Sequence, residues 1–521
     1  MNLYIETSYA IAFAKYLLVG VILYSLYLVH WLVIIPYRKR QYYKKYRNVK
    51  MVDKFYPMTG DITIWGENIE KGRGVLHHYI REVAENPDTD FRLMTLGERS
   101  ILEITSPEAM DEFEKLVPDK VDRGEPKQTA LANMMPTAFN MIRSTDYMNK
   151  RKNATVAFLG MNKVSSYIPK MIESVDTYVQ PLKKGEEANF GTLSKLITFE
   201  IMGTQLLGYD YKSIDMDFKY VCPHTGSVSY LKFADYYMRV SDNEFEAFTS
   251  PLTKILKPLS ERHLIEPYKT NHRNNVHMRQ RLLDLILASE DPDSMYKTLM
   301  KTGEFASEDC VMDVISMVGG GFDTTSKSIA STLYLVKKNP EVYKKLMEEI
   351  RKNGLDQMES IPADEIRDVI HNCDYLAYVI KESLRYDTPG PLTLTYKAFE
   401  DVTVRGVDIP KGQELTIGIY YNHFNPKQWH RPTEFLPERF DPESELFCKP
   451  GTKSRRHPKS FNSFSMGKRK CIGQSLAMLS AKVVIVRILT TINYDIIPDL
   501  LSREKACFDM FSATDLKLIV N

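Results

Sequence analysis

From Tyr16 to Ile35 the chain reads YLLVGVILYSLYLVHWLVII, an unbroken apolar run in which only His30 can ionise. Roughly 20 such residues make about 30 Å of helix, the thickness of a bilayer core. Past Pro36 come Arg38, Lys39, Arg40, Lys44, Lys45 and Arg47 with no acid among them. Basic flanks stay on the cytosolic side of a span. The pattern predicts a transmembrane anchor over 1–36, spanning about 16–35, followed by a basic linker over 37–55. The run is too long, and too bulky at its end, for a cleaved signal peptide.

No second run of that length follows, so 56–521 is expected to be one cytosolic body. Much of it carries helical spacing. Asn339–Asn353 opens on Pro340 and alternates acids and bases along a solvated face. An apolar pattern from about Glu308 to Lys338 predicts a long helix. Strand-like runs cluster between Leu392 and Tyr421, with turn signals at Arg405-Gly406 and Pro410-Lys411-Gly412. The fold class is therefore mainly α with a small β region late in the chain, and a regular alternating parallel sheet is excluded.

Charge changes this picture more than composition does. The 521 residues hold 69 Lys+Arg against 67 Asp+Glu, a formal +2. That neutrality conceals two basic patches, one in the linker and one between Lys449 and Lys470, where eight bases meet no acid. The rest of the chain is net acidic. No basic stripe is interleaved with stacking aromatics, so no nucleic-acid partner is indicated. The six cysteines form no CxxC pair, which excludes a zinc ribbon or a disulfide scaffold.

Four constellations carry chemistry. In the first, Phe464-Ser-Met-Gly467-Lys-Arg469-Lys-Cys471-Ile-Gly473 precedes an apolar helical stripe. Cys471 thus stands at a helix N-terminus, where unpaired N–H groups favour a thiolate, and the glycines let backbone approach a flat ligand. Taken alone, Cys471 reads as an inert buried thiol. The second is Gly319-Gly320-Gly321-Phe-Asp323-Thr324 inside the long helix, where each glycine costs about 1 kcal/mol relative to alanine. Taken alone, it reads as a kinked or closely packed core helix, and the missing GK[ST] ending excludes a phosphate loop. The third, Glu382-Ser-Leu-Arg385, puts an ion pair on one helix face. The fourth is Tyr147-Met-Asn-Lys-Arg151.

Together these segments resemble the cytochrome P-450 family, whose haem loop shares the Phe, Gly, Arg, Cys and Gly at matching spacings. The resemblance implies the cytochrome P-450 fold, with haem b as cofactor and Cys471 as the metal ligand, the axial thiolate of the haem iron. Phe464, Gly467, Arg469 and Gly473 would shape the cofactor loop. Gly320 and Gly321 would leave a groove over the iron, Thr324 would hydrogen-bond dioxygen, and Asp323 would relay protons. Glu382 and Arg385 would form a structural network with Arg439. Tyr147 and Arg151 fall where the family has Trp-x-x-x-Arg, so Arg151 would meet a haem propionate, Tyr for Trp being a departure.

The implied activity is a monooxygenase that inserts one oxygen atom from O2 into an apolar substrate. Its electrons would come from NADPH through NADPH-cytochrome P-450 reductase, with cytochrome b5 as a further donor, at the endoplasmic reticulum membrane. The basic run at 449–470, including Lys453, Arg455 and Arg456, would receive that donor. The alternatives are a haem-thiolate isomerase or dehydratase, against which Asp323-Thr324 weighs, and a non-catalytic haem-binding protein. A cysteine hydrolase would need an oriented Cys-His pair that the sequence does not offer. Candidate pocket segments are Ala130–Met141, the helix before Asp323, Pro389–Leu394, and the loop around Phe508 and Phe511.

Overall fold

The apolar run forms helix α1, Asn2–Val29, which passes through a π-helical turn, His30–Ile34, into α2, Ile35–Tyr43. This computed structural model describes residues 2–70, 75–124, 134–208, 217–249, 255–260, 262–497 and 516–521. The wide turn has a cause. Pro36 has no N–H to return to the carbonyl of Leu32 and its ring crowds that carbonyl, so the helix opens locally and Ile35 N–H reaches back to His30 O. The orphaned Leu32 O is taken by Met58 N–H at 3.3 Å.

Along α1, Leu17, Val19, Ile22, Leu23 and Leu26 are exposed, as on a helix built for lipid. At its far end the helix docks on the body: Leu32 and Tyr43 are buried, and Arg40 donates to the carbonyls of Val52 and Asp53. The 37–55 stretch is thus helical to Tyr43, then supplies a strand. It is a docked connection and not an extended tether.

That strand, β1 (Val49–Lys50), begins a six-stranded sheet with β2 (Phe91–Leu96), β3 (Arg99–Ile104), β4 (Val121–Arg123), β5 (Tyr396–Ala398) and β6 (Glu414–Ile417). Their order is β1-β2-β3-β6-β5-β4. β6 runs parallel to β3, with Glu414 opposite Ile101, and antiparallel to β5. Strands far apart in sequence are therefore neighbours, and the sheet ties the two ends of the chain into one body. The late strand region is real but shorter than its pattern suggested, since Ile419–Phe424 is a helical turn. The N-terminal strands carry no comparable signal.

The main core is helical. It includes α3 (Asp146–Phe158), α4 (Ile168–Val179), α5 (Phe190–Leu207), α6 (Phe233–Thr249), α7 (Ser307–Lys338), α8 (Asp374–Tyr386) and α9 (Gln474–Thr491). α7 runs 32 residues straight through the three glycines and packs against α5, α8 and α9. α9 is apolar enough to cross a membrane, yet Val483, Val484, Ile485 and Val486 are fully buried in protein, so it is a core helix.

Candidate functional site

The segment ahead of α9 is a tight loop that presents Cys471. Cys471 N–H donates to Phe464 O at 2.8 Å, and Lys470 N–H to Gly467 O at 3.1 Å. Gly467 sits at φ +60°, and a Cβ there would lie 2.7 Å from Glu114 Oε1, so only glycine fits. Gly473 caps α9, and a Cβ on it would stand 3.9 Å from Cys471 Sγ. Cys471 is exposed as a residue although protein surrounds its thiol. That enclosure pushes its pKa up, opposed by the Gly473 N–H and by Lys470. The helix N-terminus does favour the thiolate, but burial outweighs it.

Behind the loop lies a buried ionic network. Arg385 donates from Nε and Nη2 to the two oxygens of Glu382, both at 2.8 Å, and Arg439 Nη1 reaches Glu382 Oε1 at 3.1 Å. All three side chains are fully buried. Arg385 also bonds the carbonyls of His423, Pro432 and Glu434, while Leu436 N–H donates to Glu382. Burial pulls the Arg439 pKa down against the support of Glu382.

His423 connects this network to the cysteine loop. Its Nδ1–H donates to Arg385 O at 3.1 Å, and its Nε2 accepts from Asn462 N–H at 3.2 Å. Burial, then Arg385, pushes its pKa down to about 3, so the ring is neutral and its tautomer is fixed by its two partners. Nothing in the sequence pointed to His423, a lone histidine in a strand-like run.

On α7 the three glycines face different ways. A Cβ on Gly321 would come 2.6 Å from Met202 Sδ of α5, and one on Gly319 would strike the Tyr237 hydroxyl of α6. Those two permit close helix packing. Gly320 alone is exposed, with nothing within 4 Å of an added Cβ. Of the two glycines expected to leave a groove, Gly320 has free space beside it and Gly321 does not. Across one turn of α7, Thr324 Oγ donates to Gly320 O at 2.6 Å, and Asp323 Oδ2 accepts from Lys327 Nζ at 2.9 Å.

Tyr147 and Arg151 on α3 point elsewhere than expected. Arg151 is buried and forks onto Asp313 of α7, with Nε to Oδ2 at 2.8 Å and Nη2 to Oδ1 at 2.6 Å. Its Nη2 also donates to the carbonyls of Thr137 and Asp309. The Tyr147 hydroxyl donates to Asp309 at 2.9 Å. Burial raises the Asp313 pKa to about 6, with Arg151 opposing. This ion pair ties α3 to α7.

Arg469 is likewise engaged, its Nε and Nη2 on Asp122 of β4 at 2.9 and 2.6 Å. The neighbouring Arg123 is different: it is buried, Arg469 adds to the burial that lowers its pKa, and its Nε has no hydrogen-bond partner. Its Nη1 donates to the Leu394 carbonyl and its guanidinium lies 4.2 Å from the Tyr396 ring centre, so the Nε is the donor left over. Sequence reasoning missed Arg123 because a single arginine at a strand end has no signature.

Within the basic run, Lys453, Arg455, Lys468 and Lys470 are exposed. Arg456 is not free for docking. It stacks 4.3 Å over Trp429 and donates to the carbonyls of Leu446 and Arg439. Lys459 pairs with Asp111 and Glu114. Of the pocket segments, Met134, Met135, Phe139 and Met141 are buried in the helical core. Residues 130–133 and the loop around Phe508 and Phe511 lie outside the described residues.

The fold and this loop define a helical protein that presents one exposed cysteine ahead of a helix N-terminus. The chain belongs to the cytochrome P450 family, whose family model matches residues 57–515. Cytochrome P450 3A18 of Rattus norvegicus is 36% identical over 179 residues, 34% of this chain and 33% of that protein. Cytochrome P450 4d2 of Drosophila melanogaster is 32% identical over 221 residues, 42% of this chain and 39% of its own. The chain therefore matches well under half the length of these relatives. Cytochrome P450 71BT1 of Catharanthus roseus is 24% identical over 484 residues, 88% of each chain. The solved heme domain of a cytochrome P450DA mutant superposes with a TM-score of 0.67 at 19% identity, over 86% of this chain and 92% of that one.

Proposed function

We propose that this chain is a haem-thiolate monooxygenase, inserting one atom of O2 into an apolar organic substrate while the other leaves as water. The observation that carries the reading is Cys471, an exposed cysteine at the N-terminus of α9 within the region that matches the family.

Haem requires a thiolate, room for a flat ring, and cations for two propionates. The donor set fits it: Cys471 for the iron, Gly320 open on the α7 side, and Arg123 with an unused buried Nε next to Arg469. When bound, haem supplies the redox-active iron for dioxygen chemistry. Everything else falls to the chain. Gly473 N–H and Lys470 stabilise the thiolate. Phe464, Gly467 and Gly473 hold the loop that aims it, and Glu382, Arg385 and Arg439 brace that loop through His423. The hydroxyl proton of Thr324 lies on Gly320 O, so its lone pairs are free to accept from a ligand. Asp323 Oδ1 takes a proton from water, passes it inward and reloads from solvent. We assign Tyr147 and Arg151 to the α3–α7 tie, and the propionates to Arg123 and Arg469.

Electrons come from NADPH through a membrane-bound reductase, with cytochrome b5 as a further donor. The anchor sets the enzyme on the endoplasmic reticulum membrane with its body in the cytosol. Lys453, Arg455, Lys468 and Lys470 offer an exposed basic surface for an acidic flavoprotein. The decisive measurement is the carbon-monoxide spectrum of the reduced full-length protein, expected to show the red-shifted Soret band of thiolate ligation, followed by NADPH and O2 consumption with reductase. A protein that retains no haem, or one that consumes no O2 with reductase, overturns the reading. Charge reversal at Lys453 and Arg455 should slow reductase-driven turnover several-fold and leave peroxide-driven turnover unchanged. Equal losses would exclude this surface.

A further inference from the structure

Lys327 belongs to none of the four constellations, yet it is the nearest cation to Asp323. It lies one turn further along α7, only 5% of its side chain is exposed, and its ammonium meets Asp323 Oδ2 at 2.9 Å. Burying an ammonium is costly unless a carboxylate receives it, so the position of Lys327 is bound up with that of Asp323. The carboxylate itself is 26% exposed. Its Oδ1 carries no hydrogen bond from the described residues, so one oxygen is pinned and the other is open to water.

A competitor stands on the other side. Gly319 lies one turn before Asp323, so residues 319, 323 and 327 form one column of α7. At the Gly319 end of that column the hydroxyl of Tyr237 from α6 is fully buried and has no hydrogen-bond partner. Its ring is fixed among Phe199, Phe233 and Phe322, so the hydroxyl cannot turn away. An unpartnered buried donor next to a carboxylate would capture it. Lys327 draws the carboxylate in the opposite direction along the column.

We propose that Lys327 is the positioning residue for proton delivery, holding Asp323 by Oδ2 and keeping Oδ1 free to exchange protons with water. This rests on the monooxygenase reading above. Lys327 neither gains nor loses a proton in the step: Asp323 Oδ1 accepts one from water, releases it inward and returns to the carboxylate.

The test uses full-length protein carrying Lys327→Met, Asp323→Asn or both. Two readouts decide it. The first is the unfolding midpoint, which needs no turnover: Lys327→Met should lower it in the parent but barely in the Asp323→Asn background. The second is product formed per NADPH with reductase, expected to fall about five-fold in Lys327→Met, while haem content and peroxide-driven turnover stay within two-fold. The double variant should couple no worse than Asp323→Asn alone. Additive midpoints, or equal losses in the two turnover assays, overturn the proposal. A parent that forms no product with NADPH overturns the monooxygenase reading instead, and the midpoint cycle still reports on the pair.

Discussion

Glu382 with its two arginines, and Arg92 with its three acids, are buried ionic networks in the same chain, built on opposite balances. In the first, one carboxylate serves two guanidiniums and the surrounding carbonyls take up the remaining N–H groups except Arg439 Nε, which has no partner. In the second, Arg92 of β2 is fully buried among Asp61 at 3.2 Å, Glu82 at 3.1 Å and Glu103 at 3.7 Å. Here more polar atoms are left over, and most are on the acids: Arg92 Nη2, Asp61 Oδ1 and both oxygens of Glu103 have no hydrogen-bond partner. Both networks pin helices or loops to a core. They differ in how they can respond when broken, because a carboxylate can be neutralised by a proton near neutral pH and a guanidinium cannot.

The largest effect should therefore come from Glu382→Ala. It strands Arg385 and Arg439 at zero exposure, and breaking a buried pair in this way costs about 3–5 kcal/mol. Neither cation can escape by deprotonating at physiological pH. Since Arg385 O anchors His423, and His423 anchors Asn462, the damage should reach the cysteine loop. Haem-to-protein ratio and unfolding midpoint should collapse together. A variant that keeps full haem content would show that the network does not support the loop.

Arg92→Met should cost less, about 3 kcal/mol near pH 8, the low end for a broken buried pair, and its cost should shrink in acid. Burial already raises the pKa of Asp61, and it raises that of Glu103 to about 8. Glu82 differs, since Arg92 and His78 overcome its burial and hold it at about 2. Without Arg92 the acids can take up protons, which the stranded arginines of the other network cannot do. Unfolding midpoints of parent and variant compared at pH 8 and pH 5.5 should therefore converge at the lower pH. A gap that stays constant would break the contrast between the networks.

How far each network was legible follows from its spacing. Glu382 and Arg385 are three residues apart on one helix and Arg439 follows in a recognisable order, so a motif carried them. Asp61, Glu82, Arg92 and Glu103 come from two helices and two strands, with no fixed interval, and only the fold brings them together. The same holds at the site. The cysteine loop and the long helix were readable because their chemistry is local. That Gly320 is open while Gly321 packs on Met202, that Arg151 pairs with Asp313, and that Arg123 has an unused donor all depend on which neighbour the tertiary fold supplies. The docked end of the N-terminal helix was hidden similarly, because the donor to Leu32 O is Met58, well outside the apolar run.

The mildest and most specific perturbation is Glu103→Gln. Burial raises this carboxyl from its ordinary 4.5 to about 8, and Arg92, too distant for a good hydrogen bond, only partly opposes the rise. A pKa higher in the folded state than in the unfolded chain means that the folded protein binds the extra proton. The associated stability is complete below about pH 4.5 and is lost as pH rises through 8. The loss runs at about 1.4 kcal/mol per pH unit where only the folded form is protonated. A glutamine keeps the shape of the protonated acid and cannot ionise, so this source of pH dependence disappears. Between pH 6 and 9 the midpoint of Glu103→Gln should fall less than that of the parent, while the two should nearly coincide at pH 5. Parallel pH profiles would mean that Glu103 is ionised in the folded protein, and the Arg92 network would then be as tightly compensated as the one around Glu382.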